Sequence, residues 1–225
     1  VARVPGYLVS IGVTDGALVN KGDLLFVIEQ APYQANVDLA QATLAQQQAQ
    51  LTRASEEYAR QVRLVKQNAS SQTSLEKWLA DRDSASAAVG EAKANLEIAK
   101  INLGYTKVLA PFTGRIGRHL VDAGNLVGTP SPTNLAILEQ IEPIHVYFNI
   151  DEPAVLRLRA KIREQGLGLA DINKIGVDVA LQTEDGYPHE GRLDYIAPGF
   201  DTATGTLQVR AVLPNTDRAL MPGAF

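Results

Sequence analysis

The stretch that decides the fold runs from Pro32 to Leu103 and has the sequence PYQANVDLAQATLAQQQAQLTRASEEYARQVRLVKQNASSQTSLEKWLADRDSASAAVGEAKANLEIAKINL. It contains one proline, at its first position, and one glycine, Gly90. Proline and glycine are the residues that most disfavour a helix interior. Because the stretch of roughly seventy residues has almost none of either, it is predicted to be helical.

Two heptad series run through this stretch, in which apolar or small side chains recur at alternating spacings of three and four residues. The first series is Val37, Ala40, Leu44, Leu51, Ala54, Tyr58 and Val65, with Gln47 and Gln61 at its two polar positions. The second series is Leu75, Trp78, Ala85, Val89, Ala92, Leu96, Ala99 and Leu103, with Arg82 at its one charged position. We call both series together the seam. Two helices that carry such series are predicted to pack against each other as a coiled coil.

The two series are separated by the polar run Asn68–Gln72, where the first helix is predicted to end. Thr73 and Glu76 have the spacing of a capping box, which predicts the start of a second helix. Pro32 suits a first helical turn, and Gly104 is predicted to be the C-terminal cap. The prediction is an antiparallel helical hairpin with arms of about 30 to 36 residues, each on the order of 50 Å long.

Short alternating strands separated by glycine turns lie on both sides of the hairpin, and their order predicts an internal repeat. Asp15–Val19 and Leu24–Ile28 can be laid over Asp122–Val127 and Leu135–Leu138. Neither half has enough strands to bury its apolar face alone. We therefore predict one β-sandwich split by the hairpin.

The pattern changes after about residue 140. A strand at Ile144–Ile150 is followed by a helix that begins at Asp151-Glu152-Pro153. This helix is predicted to turn Ala154, Val155, Leu158 and Ile162 inward and to end at Gly166. Three more strands are predicted at Val177–Leu181, Gly191–Ile196 and Gly205–Leu213, which suggests a small antiparallel barrel.

The predicted fold class is mainly β with a long α-helical coiled-coil hairpin, in an elongated molecule. Three domains are expected: a split β-sandwich at 1–29 and 105–139, an antiparallel α-helical hairpin at 30–104, and a β-barrel with one helix at 140–225. A third of the chain lies in the hairpin, so two small β domains are favoured over one large core.

The bulk composition excludes several classes of function. The 225 residues carry a net charge of -4 and no basic run, which argues against nucleic acid as a partner. No cysteine is present, so disulfides and thiolate metal sites are excluded. The pattern is already under way at Val1 and is cut short at Phe225. Targeting and anchoring segments are therefore expected to be missing from this sequence.

No catalytic, metal or cofactor site is predicted. His119, His145 and His189 stand far apart in the sequence, with no paired carboxylate at ligand spacing. No phosphate-binding glycine loop, nucleophile elbow or HExxH motif occurs. Asp151 and Glu152 precede a proline at a helix start, where carboxylates are expected as caps.

One enzymatic alternative comes from the split sandwich, which resembles lipoyl and biotinyl carrier domains. Those domains present a lysine on the hairpin turn between their halves, and here the coiled coil replaces that turn. Lys21 and Lys107 lie near the predicted sandwich, but neither has a carrier-type Met-Lys or Asp-Lys-Ala context. A carrier function is therefore the less favoured alternative.

A lipoyl-like sandwich interrupted by a helical hairpin and followed by a small barrel resembles the periplasmic adaptors, or membrane fusion proteins, of tripartite multidrug efflux pumps of the resistance-nodulation-division type. Three motifs carry the resemblance. Val13–Leu25 and Ala110–Gly114 are similar to the family's two half-lipoyl signatures. Thr204–Ala211, followed by Pro214-Asn215 and Leu220–Gly223, is similar to its barrel-closing motif.

The hairpin tip carries a fourth motif, because Arg63-Leu64, Ser71 and Leu75 match the pattern by which such adaptors engage an outer-membrane channel. An exposed arginine, a small hydroxyl at the turn and two flanking leucines suit docking onto another helical tip. The alternative is that Leu64 and Leu75 only close the end of the coiled coil, with Arg63 a solvated charge that matches the helix dipole.

The resemblance implies a non-enzymatic adaptor without cofactors in the periplasm of a Gram-negative bacterium. Its implied partners are an inner-membrane transporter, an outer-membrane channel and further adaptor copies in a ring. Attachment to the inner membrane would use an anchor absent from this sequence. The adaptor of an ATP-driven exporter or secretion system is the nearest alternative.

Side-by-side packing of hairpins in such a ring would suit the mixed charges of the hairpin's outer faces, although a solvated coiled coil, the commoner case, fits them equally. Eight are acidic and eight basic: Asp38, Glu56, Glu57, Glu76, Asp81, Asp83, Glu91 and Glu97 against Arg53, Arg60, Arg63, Lys66, Lys77, Arg82, Lys93 and Lys100.

Overall fold

A computed structural model describes residues 1–164 and 169–224. The chain forms two compact units. The first unit contains Val1–Asp15, Asp23–Leu109 and Arg118–Ala136, and the second contains Gly16–Gly22, Ala110–Gly117 and Ile137–Phe225. The helices are α1 Ala31–Lys66, α2 Gln72–Tyr105 and α3 Glu152–Glu164, with a 3-10 helix at Leu169–Lys174. The strands are β1 Gly6–Ile11, β2 Leu18–Val19, β3 Leu24–Ile28, β4 Lys107–Leu109, β5 Gly114–His119, β6 Leu126–Val127, β7 Ala136–Glu139, β8 Ile144–Asp151, β9 Gly176–Val179, β10 His189–Ile196 and β11 Thr206–Leu213.

Helices α1 and α2 belong to the first unit and pack along the seam. Every predicted seam residue is buried or half-buried. Leu44 of α1 and Val89, Ala92 and Leu96 of α2 are the most deeply buried, at 4–8% exposure. Apolar burial of this kind is worth about 1.5–3 kcal/mol for each large side chain, so the seam holds the two helices together.

The charged seam position is accommodated by an aromatic side chain on the facing helix. The Arg82 guanidinium of α2 lies 4.6 Å from the ring centroid of Tyr58 on α1. Its Nη2 also donates to the Asp83 carboxylate at 2.6 Å. A cation over an aromatic face keeps its charge compensated without leaving the seam.

The end of α2 differs from the sequence prediction. Gly104 is not the cap but a residue of α2, which ends at Tyr105 with Thr106 as its C-cap. The Thr106 hydroxyl donates to the Leu103 carbonyl and accepts from the Gln30 side-chain amide at 2.9 Å. The Thr106 side chain is fully buried, and its own carbonyl accepts from the Ile28 amide at 2.8 Å. A hydroxyl that bonds the last carbonyls ends a helix without needing a glycine.

Four strands of the first unit form an antiparallel sheet in the order β4-β3-β1-β6. Leu8, Phe26, Ile28 and Val127 are at most 1% exposed and form its apolar face. Strand β4 was not predicted and pairs with β3, opposite Leu24 to Val27.

The predicted internal repeat is visible in the backbone hydrogen bonds. In the first unit, β1 pairs with β6, and the Leu8 carbonyl accepts from the Gly124 amide at 2.7 Å. In the second unit, β5 pairs with β2, and the Ile116 carbonyl accepts from the Gly16 amide at 3.0 Å. Gly16 and Gly124 have φ values of 77° and 93°, which glycine adopts without steric cost. Each of these pairs thus joins one strand from before the hairpin to one strand from after it.

The largest sheet of the second unit is antiparallel, in the order β8-β11-β10-β9. The inner residues Ile144, Leu193, Val209, Ala211 and Leu213 of its strands form an apolar cluster with Leu220, which follows β11. The four strands agree with the sequence prediction, although β9 ends two residues earlier, at Val179, and β10 starts two residues earlier, at His189.

Helix α3 follows β8 as predicted. The Asp151 carboxylate accepts from the Ala154 amide at 3.3 Å, so this carboxylate is a helix cap. Val155 is buried, and Ala154 and Leu158 are half-buried. The side chain of Ile162 and the predicted helix end at Gly166 lie outside the part of the chain that is described.

Asn215, from the Pro214-Asn215 motif, is a fully buried polar residue of the second unit. Its side-chain amide donates to the carbonyls of Ile141 at 2.9 Å and Leu220 at 2.8 Å. Its oxygen accepts from the Leu220 amide at 3.1 Å. The motif therefore ties the segment before β8 to the segment after β11.

Candidate partner-binding site

The turn between α1 and α2 is built from two backbone hydrogen bonds that end α1 and one side chain that caps α2. At the end of α1 the Ala69 amide donates to the Leu64 carbonyl at 2.8 Å, and the Asn68 amide donates to the Val65 carbonyl at 3.0 Å. This is a Schellman motif, and it needs a left-handed residue at Asn68, whose φ is 54°. Asparagine tolerates that conformation better than other non-glycine residues.

The start of α2 differs from the predicted capping box. The N-cap is Ser71, whose Oγ accepts from the Ser74 amide at 3.2 Å. Thr73 and Glu76 therefore lie inside the helix, and the prediction that they cap it was wrong. The Schellman motif ends α1 so tightly that only Ser70 separates it from the next cap, and α2 begins two residues early.

The four predicted partner-binding residues all lie close to this turn. Arg63 and Leu64 are in the last turn of α1, Ser71 caps α2, and Leu75 follows in the first turn of α2. Arg63 and Ser71 are exposed, whereas Leu64 and Leu75 are half-buried. Within residues 1–164 and 169–224, no carboxylate forms an ion pair with Arg63. The tip thus presents an uncompensated cation beside two partly exposed apolar side chains.

The sequence did not predict one hydrogen-bonded pair of residues at the tip. The Ser70 hydroxyl donates to the side-chain oxygen of Gln61 at 2.9 Å, and both residues are half-buried. The available signal was the amide of Gln61 at a seam position where an apolar side chain is expected. The sequence could show that this position was polar but not which residue it contacts.

The histidines have carboxylate neighbours that sequence spacing did not reveal. In the first unit His119 Nδ1 lies 2.9 Å from Asp15 Oδ1, and His119 Nε2 lies 3.3 Å from Asp122 Oδ1. The hydrogen bond to Asp15 raises the pKa of His119 above its usual value, and Asp122 adds to the effect. The same hydrogen bond lowers the pKa of Asp15.

In the second unit His189 Nε2 lies 3.0 Å from Glu184 Oε1, and Glu184 also accepts from the Leu181 amide. Among the described residues, no group of three or more His, Cys, Asp or Glu side chains is arranged to hold a metal ion.

Arg210, from the Thr204–Ala211 motif, is fixed on the outer face of the large sheet. It donates to Asp194 from Nε at 3.0 Å and from Nη2 at 2.8 Å. Its guanidinium lies 5.9 Å and 5.7 Å from the ring centroids of Tyr147 and Tyr195. The hydrogen bond from Arg210 is the main cause of the lowered pKa of the Asp194 carboxylate. This pair joins β10 to β11.

The two lysines of the carrier alternative lie in different units. Lys21 is exposed in a turn of the second unit, where its backbone amide donates to the Thr113 hydroxyl at 3.0 Å. Lys107 is an exposed residue of β4, paired with Val27 of β3. Neither lysine lies at the turn between α1 and α2.

The family of the chain follows from two family models that together match nearly all of it. The barrel-sandwich hybrid domain of RND membrane fusion proteins matches residues 1–139, and the β-barrel domain of the same proteins matches residues 143–225. The chain belongs to the membrane fusion protein family of resistance-nodulation-division (RND) systems, as the sequence motifs predicted. It is mainly β, with a barrel-sandwich domain and a β-barrel domain.

Curated relatives match over the whole chain. The efflux pump periplasmic linker BepD of Brucella suis biovar 1 (strain 1330) is 37% identical over 226 residues, which cover 100% of this chain and 57% of that protein. The multidrug export protein AcrE of Escherichia coli (strain K12) is 36% identical over 223 residues, which cover 99% of this chain and 58% of AcrE. The chain therefore spans little more than half the length of these relatives.

Solved structures share the fold. MacA from Actinobacillus actinomycetemcomitans superposes with a TM-score of 0.64 at 22% identity, over 99% of this chain and 70% of MacA. The membrane fusion protein Spr0693 from Streptococcus pneumoniae R6 gives a TM-score of 0.61 at 18% identity, over 95% and 87%. In the part of the chain that is described, no helix is both long and apolar enough to cross a membrane.

Proposed function

We propose that the chain is the periplasmic part of an adaptor that bridges an inner-membrane drug/proton antiporter and an outer-membrane channel in a tripartite efflux pump. The observation that carries this proposal is the match of the whole chain to relatives named as efflux pump linkers and multidrug export proteins. The adaptor works without catalysis or a cofactor, in the periplasm of a Gram-negative bacterium.

The hairpin provides the reach that such a bridge needs. Helices of 36 and 34 residues each span on the order of 50 Å at 1.5 Å per residue. We divide the chain into a lipoyl-like sandwich at 1–29 and 105–139, the hairpin at 30–104 and the barrel at 140–225. The limits of the two family matches, at 139 and 143, support the last of these boundaries.

The tip residues Arg63, Leu64, Ser71 and Leu75 bind the outer-membrane channel in this proposal. The buried seam cluster, together with the half-buried side chains on it, comes from Val37 to Leu51 and Val89 to Leu96, far from the turn. The tip residues therefore add little to that core, whereas an unpaired arginine beside leucines is typical of an interface hot spot.

Adaptor copies pack side by side through their hairpins. Leu39 of α1 and Ile98 and Ile101 of α2 lie outside the seam, with exposures of 68%, 57% and 44%. Exposed apolar side chains on helices that already have a partner suit contact with a second copy. The balanced charges of the outer faces allow such copies to approach without net repulsion.

The test of the docking proposal is Arg63→Asp in the full-length adaptor. The change removes a charge-assisted contact and adds a repulsion, so it should weaken channel binding by at least about 2 kcal/mol. The free energy of unfolding should change by less than about 1 kcal/mol, because the charge is exposed. Resistance of the cells and crosslinking to the channel are measured at matched adaptor levels.

The control is Arg53→Asp, a second exposed arginine farther from the tip on α1. We expect it to keep the activity of the parent protein. Equal, undiminished resistance in both variants would remove the tip from the docking site.

A further inference from the structure

Gln61 is a polar residue at a position where the coiled coil favours an apolar one. It occupies a seam position of α1 and is half-buried. A polar side chain inside a heptad seam lowers the stability of the coiled coil, and such residues are known for fixing register and partner geometry. Its one described side-chain hydrogen bond, 2.9 Å long, is accepted from Ser70, nine residues along the chain.

Ser70 is the hinge of the turn. Residues up to Ala69 are held by the Schellman bonds to Leu64 and Val65. Residues from Ser71 onward are held by the cap of α2. Ser70 alone stands between these two fixed pieces, so its backbone angles set the direction in which α2 leaves the turn. The bond to Gln61 ties this residue back to α1, about one and a half helical turns before the end of that helix.

We infer that Gln61 and Ser70 are positioning residues for the outer-membrane channel. Their hydrogen bond fixes the orientation of Ser71 and Leu75, at the start of α2, relative to Arg63 and Leu64, at the end of α1. The channel then binds one preformed surface, so binding carries no entropic cost of ordering the turn. This inference rests on the proposed docking function of the tip.

A purely structural role makes the opposite prediction for Gln61→Leu. Leucine at a seam position improves packing between the helices, so a structural residue could be replaced with no loss of function. A positioning residue cannot be replaced in this way, because leucine leaves Ser70 without its acceptor. Gln61→Leu should therefore lower function while it raises stability only if the bond serves docking.

The experiment uses the full-length adaptor, expressed in a strain that lacks its own copy. Resistance is measured to the compound whose toxicity rises most on deletion, and melting of the purified adaptor is measured alongside. We expect Gln61→Leu and Ser70→Ala each to weaken channel binding about fivefold, the factor in a binding constant that corresponds to one hydrogen bond of about 1 kcal/mol, and to lower resistance with it. Gln61→Leu should melt at or above the parent temperature. Ser70→Thr keeps the hydroxyl and should keep the resistance.

The outcomes separate this inference from the docking proposal. If Gln61→Leu and Ser70→Ala both retain parental resistance while Arg63→Asp does not, the positioning role is overturned and the docking role stands. If Arg63→Asp also retains it, the docking role fails as well. A loss of resistance in Gln61→Leu that comes with lower melting and less helix would overturn the inference in favour of a structural role.

Discussion

His119 is a pH-sensitive tie between two loops of the first unit. Both ring nitrogens face a carboxylate, Asp15 at 2.9 Å and Asp122 at 3.3 Å. A neutral imidazole can donate from only one nitrogen, so both contacts are hydrogen bonds only when the ring is charged. Its backbone amide also donates to Asp15 at 3.1 Å, and Arg118 is the next charged neighbour of that carboxylate.

We predict that this tie stabilises the protein at mildly acidic pH. The pKa of His119 is raised in the folded state. Its contribution is therefore fully present below the unfolded value of about 6.5 and is lost as pH rises through the folded value. The pKa of Asp15 is lowered, so this carboxylate stays charged across that range. The parent should melt at a higher temperature at pH 5.5 than a His119→Gln variant, with a smaller gap at pH 8.

Asp122→Asn is the graded control, because it removes only the negative charge of the more distant carboxylate and keeps an oxygen that can accept from His119. It should show an intermediate response. An identical gap between parent and His119→Gln at both pH values would show that the ring does not titrate against these carboxylates.

Single residues show where sequence reasoning reaches its limit. The contact between His119 and Asp122 is local, but Asp15 is 104 positions away, and only the paired strands bring it close. The predictions of the helix caps were wrong for another reason. Thr73 with Glu76 is a stronger local signature than Ser71 with Ser74, yet the tight end of α1 places the start of α2 at Ser71. Hydrogen bonds around Thr106 displaced the predicted glycine cap in the same way.

At the scale of the element, the hairpin depends on its seam. Leu96 is 6% exposed inside it, whereas Ile98, two residues later on α2, is 57% exposed. Leu96→Asp would place a carboxylate against α1 at a cost of several kcal/mol, so we predict a clear loss of helicity and of melting temperature. Ile98→Asp is the matched control and should change both little. Circular dichroism at 222 nm measures helicity and melting temperature. Equal effects in the two variants would contradict the packing of α1 against α2 along the seam.

The elements differ in how well the sequence specifies them. The seam was predictable because its period is local and repeats over many turns, so that even the exceptions Gln47, Gln61 and Arg82 fall on half-buried positions. Strand β4 was missed because three residues are too few to show alternation. It is a strand only because β3 lies beside it.

At the scale of the whole molecule, the proposed self-association would use surfaces that the single chain leaves uncovered. If Ile98 packs against a second hairpin, Ile98→Asp should impair self-association of the full-length adaptor while leaving the fold of each copy intact. Ser84→Asp adds the same charge at an exposed position of α2 and removes no apolar surface, so it should assemble like the parent. Native mass spectrometry gives the number of copies. Unchanged assembly in Ile98→Asp would exclude this face from the ring.

The contacts at the base of the hairpin make it an insert that can be exchanged without altering the β-sheet. Gln30 and Thr106, 76 positions apart, are joined by one hydrogen bond, and the strands on either side pair directly with each other. The contacts that join the hairpin to the β-sheet therefore involve only the two ends of the hairpin, so the sheet does not depend on the hairpin's length. Adding one heptad to each arm would extend the reach by about 10 Å while keeping the seam in phase and the base unchanged. The length of the hairpin can thus vary independently of the sheet that carries it.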